Sequence, residues 1–160
     1  MTHRCFTCVL MVTSAFGIIQ CHKSEQLSDV QSNTIRHEIQ QMLDSCSQSV
    51  RSEGLTGFVR CLHNSPESRW TCGSLSQDYE AVVKGNRFRS QQYTAATIQW
   101  DSVIITPLYS DRASVVARFL ETIRDTSGVD SSFAGRITCE MFRSSEGWKF
   151  HLAHTDTLFR

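Results

Sequence analysis

The hydrophobic period of the chain changes partway along it, and that change limits the folds open to it. From residue 94 onward apolar side chains recur at every second position, the period of strands with one buried face. Gly135, Ile137, Cys139 and Met141 alternate with Arg136, Thr138, Glu140 and Phe142, and Ser144-Ser145-Glu146-Gly147 then forms a turn signal. In the last strand the same alternation places Trp148, Phe150, Leu152, His154 and Asp156 on one face, and Lys149, His151, Ala153 and Thr155 on the other. Upstream, Ala96, Ile98, Trp100, Ile104 and Leu108 share a phase, with Pro107 marking an end or a bulge, and Val115, Ala117 and Phe119 share another.

Before residue 94 the period is that of a helix. Ile35, Ile39, Met42, Leu43, Cys46 and Val50 recur at steps of three and four and form one apolar stripe. Asn33 or Thr34 can cap this helix, and Gly54 ends or interrupts it. Leu55, Phe58, Val59 and Leu62 predict a second, short helix that stops before Ser65-Pro66. Arg69 to Gly73 reads as extended. Ser76 can cap a third helix over residues 77–83, with Gly85-Asn86 closing it. Helices first and long antiparallel strands afterwards imply an α+β domain, with three helices packed on one face of a curved, mostly antiparallel sheet.

At 160 residues the chain is long enough for one domain with a core. Lys+Arg and Asp+Glu are both 16, so no basic field for nucleic acid exists and no nucleic-acid partner is expected. The N-terminus reads differently. Arg4 is followed by an apolar run from Cys5 to Ile19, then Cys21 and the polar stretch from His22 to Gln26. That run has the length of a signal-peptide core and is short for a membrane span. The arrangement resembles a bacterial lipoprotein signal, although Gln20 stands where that pattern has a small residue. The expected organisation is a leader over residues 1–21, a polar tether over 22–33 and a domain over 34–160. The chain is expected to be exported, with Cys21 as the acylation site and membrane attachment through its lipid. In an exported chain Cys46, Cys61, Cys72 and Cys139 permit disulfides, with connectivity left open. Their spacing is not that of a zinc site, and neither a metal nor a cofactor is expected.

The element order, and the hairpin Gly135-Arg136-Ile137-Thr138-Cys139-Glu140-Met141-Phe142 followed by Gly147-Trp148-Lys149-Phe150-His151-Leu152-Ala153-His154, resemble the nuclear transport factor 2-like superfamily, in its SnoaL-like branch. The resemblance covers roughly residues 31–160. It implies a cone with a pocket between the helices and the concave sheet, and often a homodimer through the convex sheet face. Its members include isomerases, cyclases and dehydratases, and also non-catalytic binding or assembly domains, so the fold leaves the chemistry open.

Two sets of residues are candidates for a site. His154 and Asp156 lie two apart on one strand, as an acid/base pair at a pocket mouth or as a polar strand end meeting solvent. Trp70, Tyr79, Trp100, Trp148 and Phe150 can line a pocket for a small hydrophobic ligand, or simply fill the core. No P-loop, nucleophile elbow or HExxH is present. The function expected is ligand binding or assembly without catalysis. The alternatives are a small isomerase, dehydratase or cyclase using acid/base side chains in the pocket, and an interaction subunit working through its open sheet face.

Overall fold

The computed structural model describes residues 27–158. The leader, with Cys21, and residues 22–26 of the tether lie outside the described residues. The elements are α1 (Asp29–Glu53), α2 (Leu55–Phe58) with a following 3-10 turn (Val59–Cys61), β1 (Arg69–Cys72), β2 (Leu75–Asp78), α3 (Tyr79–Ser90), β3 (Tyr93–Tyr109), β4 (Arg112–Asp125), β5 (Asp130–Ser144) and β6 (Gly147–Leu158). The strands form one sheet in the order β2-β1-β6-β5-β4-β3. Only the β1–β6 pair is parallel. Three helices on a curved, unclosed, mostly antiparallel sheet give the α+β architecture that the hydrophobic pattern predicts and the cone that the family resemblance implies.

α1 begins at Asp29, ahead of the cap expected at Asn33 or Thr34. Ser28 and Gln31 form a capping box: the Gln31 amide donates to Ser28 Oγ at 3.2 Å and the Ser28 amide to Gln31 Oε1 at 2.9 Å. Residues 29–33, expected in the tether, are thus the exposed first turns of the helix. Further along, Ile35, Ile39, Leu43, Cys46 and Val50 are all buried against the sheet. Full burial of a side chain such as Ile39 or Leu43 contributes about 1.5–3 kcal/mol each.

Two indoles and a disulfide fasten this helix. Trp100 Nε1 donates to the Leu43 carbonyl at 3.1 Å, and Trp148 Nε1 to Glu38 Oε2 at 2.8 Å. Cys46 pairs with Cys61 across a sequence separation of 15, with Cα atoms 5.9 Å apart. α2 turns back so closely on α1 that a Cβ on Gly57 would collide with the Ser49 carbonyl.

Three sequence expectations are corrected by the backbone. Ser76 does not cap the third helix, because Ser76 and Gln77 pair with Thr71 and Trp70 in the β1–β2 hairpin. Asp78 is the cap instead, accepting from the Ala81 amide at 2.9 Å, and α3 runs through Gly85-Asn86 to Ser90. In β3 the pairing with β4 shifts between Asp101 and Ile104, where Ser102 has φ 52°. This bulge reverses the phase, so Val103 and Ile105 pack on the core and Ile104 is 63% exposed. In β6 the pairing jumps from Glu140↔Leu152 to Met141↔Phe150, leaving His151 as the extra residue. Trp148 and Phe150 therefore face inward, while Leu152, His154 and Asp156 face outward. His151, Ala153 and Thr155 are the buried ones, contrary to the uninterrupted alternation.

Candidate functional site

The concave sheet is only partly covered. Between its inner face, α2 and α3 lies a cavity of about 510 Å³. That is within the range of roughly 300–1,000 Å³ typical of small-molecule sites. Trp70, Ile98, Trp100, Phe119 and Ile137 rise from the strands, Leu55 and Phe58 close it from α2, and Val82 covers it from α3. Leu75, Phe88 and Phe133 line it too, yet are exposed, so they mark its rim. The floor is an aromatic cluster. The Phe150 ring lies 5.7 Å from Phe58, 5.8 Å from Trp70 and 6.0 Å from Trp100, centroid to centroid.

The strands hold these side chains in alternation. On β4, Ala113, Val115, Ala117 and Phe119 face inward, and the next inward position is Glu121, a carboxylate in an apolar phase. Its side chain is 16% exposed and accepts from Arg89 Nη2, in the last turn of α3, at 2.7 Å. Thr155 and Thr157 of β6 and Gln77 of β2 add uncharged polar groups to the wall. Cys72 also lines the cavity and is an exposed free thiol.

The structure brings together two of the five aromatics expected at a pocket, Trp70 and Trp100, with Phe150 packed directly beneath them. Tyr79 sits outside the cavity beside Leu62, Val82 and His151. Trp148 also lies elsewhere, under α1 at Glu38. His154 and Asp156 do contact each other, Nε2 to Oδ1, at 3.1 Å. Their side chains are 47% and 59% exposed on the outer face of the sheet, and His154 borders a shallow outer depression with Thr71, Leu108 and Leu152. The extra residue at His151 is what carries them away from the Trp148–Phe150 face. Cys139 is buried beside Met141 on the inner face of β5. Burial pushes the Cys139 thiol up to about 12.

His151, read from sequence as facing away from the core, forms a polar cluster instead. Its Nδ1 lies 3.1 Å from His63 Nδ1 and 3.2 Å from Ser68 Oγ. The single Ser68 hydroxyl proton goes to the His63 carbonyl at 2.7 Å, so the Ser68 oxygen can accept from a protonated His151 Nδ1. His63 is held below the ordinary histidine value, first by burial and then by His151, Arg112 and Lys149, against an opposing pull from Glu67. This cluster locks the segment after α2 onto β6 and does not open into the cavity. Among the described residues no group of three or more His, Cys, Asp or Glu is placed to hold a metal ion.

Arg89 and Glu121 were not singled out from sequence, and Phe119 and the second helix, both predicted there, were not assigned to a site. Glu121 carries a readable signal, since it breaks the apolar phase of β4, but its partnership with α3 becomes visible only in three dimensions.

No family model matches the sequence, and no curated protein matches it. Solved structures do match in shape. One is a protein of Novosphingobium aromaticivorans provisionally assigned as a scytalone dehydratase, at 13% identity and TM-score 0.70, covering 81% of this chain and 89% of that one. Another is a nuclear transport factor 2-like superfamily protein of Salmonella enterica, at 16% identity and TM-score 0.66, covering 80% and 94%. A third is a hexachlorocyclohexane dehydrochlorinase, at 14% identity and TM-score 0.65, covering 82% and 90%. The chain has the nuclear transport factor 2-like fold.

Proposed function

We propose that this protein is an exported domain of the SnoaL-like type that binds a small, largely apolar molecule in the cavity without transforming it. The observation carrying this reading is the lining: aromatic and aliphatic walls, no histidine or tyrosine among the described residues, and one carboxylate already engaged by an arginine. The Cys46–Cys61 disulfide supports an oxidising compartment, in keeping with an acyl anchor at Cys21. Exposed Ile104, Leu108 and Leu152 on the outer sheet face support a homodimer through that face.

The test is a titration with N-phenylnaphthylamine, an uncharged dye that brightens in apolar surroundings. Gly85 of α3 lines the cavity, and a Cβ there would meet nothing within 4 Å. Saturable binding at one site is expected, lost in Gly85→Phe with the melting temperature preserved. Equal binding by both proteins would overturn the reading.

The alternative is a small isomerase, dehydratase or cyclase, and the matched dehydratase and dehydrochlorinase folds speak for it. Acid/base work inside the cavity would fall to Glu121, since His154 and Asp156 face outward. Turnover of a carbonyl or polyketide-like substrate, abolished in Glu121→Gln, would favour this alternative.

A further inference from the structure

We infer that the ligand is uncharged and amphipathic, with an apolar body and one neutral end, such as a hydroxyl or amide, that binds the Arg89–Glu121 pair. This inference rests on the cavity being a ligand site.

Arg89 and Glu121 are the cavity's two oppositely charged side chains, and they neutralise each other. Their bond engages one carboxylate oxygen and one guanidinium nitrogen. Among the described residues, this leaves Glu121 Oε2 and the other Arg89 N–H groups available to a ligand. A hydroxyl can satisfy both partners at once, donating to the carboxylate and accepting from the guanidinium. A carboxylate on the ligand would face the Glu121 charge and would have to draw Arg89 away from it. An ammonium would face the same difficulty with Arg89. In either case one charge of a partly desolvated pair is left uncompensated.

The apolar body follows from the remaining walls. Trp70, Trp100 and Phe119 offer ring surfaces, and Thr155 and Thr157 add only uncharged polar groups to the β6 side. The exposed rim residues Leu75, Phe88 and Phe133 extend the apolar surface to the mouth. A ring system of two or three fused cycles with one polar substituent fits this distribution.

The experiment is competition against N-phenylnaphthylamine by three molecules of one shape at neutral pH: naphthol, naphthoate and naphthylmethylammonium. Naphthol is expected to bind at least ~10-fold more tightly than either ion. Plain desolvation in an apolar cavity would also favour naphthol, so two variants separate the causes. In Glu121→Gln the freed Arg89 should raise naphthoate affinity at least ~10-fold relative to naphthol, and in Arg89→Gln the freed Glu121 should do the same for naphthylmethylammonium. An unchanged rank order in both variants, or a charged compound leading in the wild type, overturns the inference while leaving the cavity as a ligand site. Failure of N-phenylnaphthylamine and of all three compounds to bind the wild type overturns the ligand-site reading, and the inference with it. Thermal melts of both variants confirm that each is folded.

Discussion

The same concave sheet is treated in opposite ways by α1 and α3. α1 lays five buried side chains on it, Ile35, Ile39, Leu43, Cys46 and Val50, and that half of the cone is filled. α3 buries Val82 alone. Its cavity-lining positions are Val82, Gly85, Asn86, Phe88 and Arg89: one has no side chain, two are polar, and Phe88 stands exposed at the rim. The hollow half of the cone is therefore written into the helix that covers it. Small and polar side chains on α3 leave the aromatic sheet surface uncovered, where an α1-like stripe would have filled it.

This contrast can be broken from the filled side first. Leu43→Ala should cost about 2–5 kcal/mol, measured by denaturant unfolding, because Leu43 is fully buried and the void it leaves has little room to close. A cost near zero would mean that α1 is not the packed side. Replacing Cys46 and Cys61 together by Ala should cost about 3 kcal/mol, the loop entropy of a cross-link spanning ~15 residues. An unchanged midpoint would show that the disulfide does not brace α1 against the turn after α2.

His63 is held below its ordinary value of 6.5, so the folded state resists a proton that the unfolded chain accepts. The stability linked to His63 is complete above pH 6.5 and is lost as the pH falls below it, down to the folded-state value. His63→Asn should flatten that part of the stability–pH curve, and an identical slope in the variant would remove His63 as its source. The smallest effect lies on the hollow side. Gly85→Ala should raise stability by about 0.5–1 kcal/mol through helix propensity, since the new methyl group enters open space. A loss of stability would mean that α3 is packed more tightly than the cavity implies.

Much of this fold is legible in the residues, and the failures have local causes. β5 keeps an unbroken register with β4, so the predicted inner set Gly135, Ile137, Cys139 and Met141 is buried as the alternation requires. β3, at three places, and β6, at one, carry extra residues whose presence is decided by the partner strand, and a period of two cannot see them. The reversal at His151 alone moved His154 and Asp156 out of the expected site and brought His151 to Ser68. Ser28 and Gln31 have capping-box spacing, yet they stand in a polar run that reads equally as tether. Gly85-Asn86 reads as a helix stop because glycine costs helix stability, and α3 carries it nonetheless at the cavity wall. Trp70 and Trp100 were readable as pocket aromatics. Glu121 shows in the sequence only as a break in the β4 phase, and its pairing with Arg89 was not readable, because it joins elements 32 residues apart.

The central claim is that the α3 side of the cone is a ligand site and the α1 side is core. Methyl-resolved NMR during addition of N-phenylnaphthylamine tests it most directly. Saturable shifts are expected at Val82, Ile98 and Ile137, with Ile35, Ile39 and Leu43 unmoved. Shifts confined to Ile104, Leu108 and Leu152 on the outer face, or no shifts at all, would contradict it.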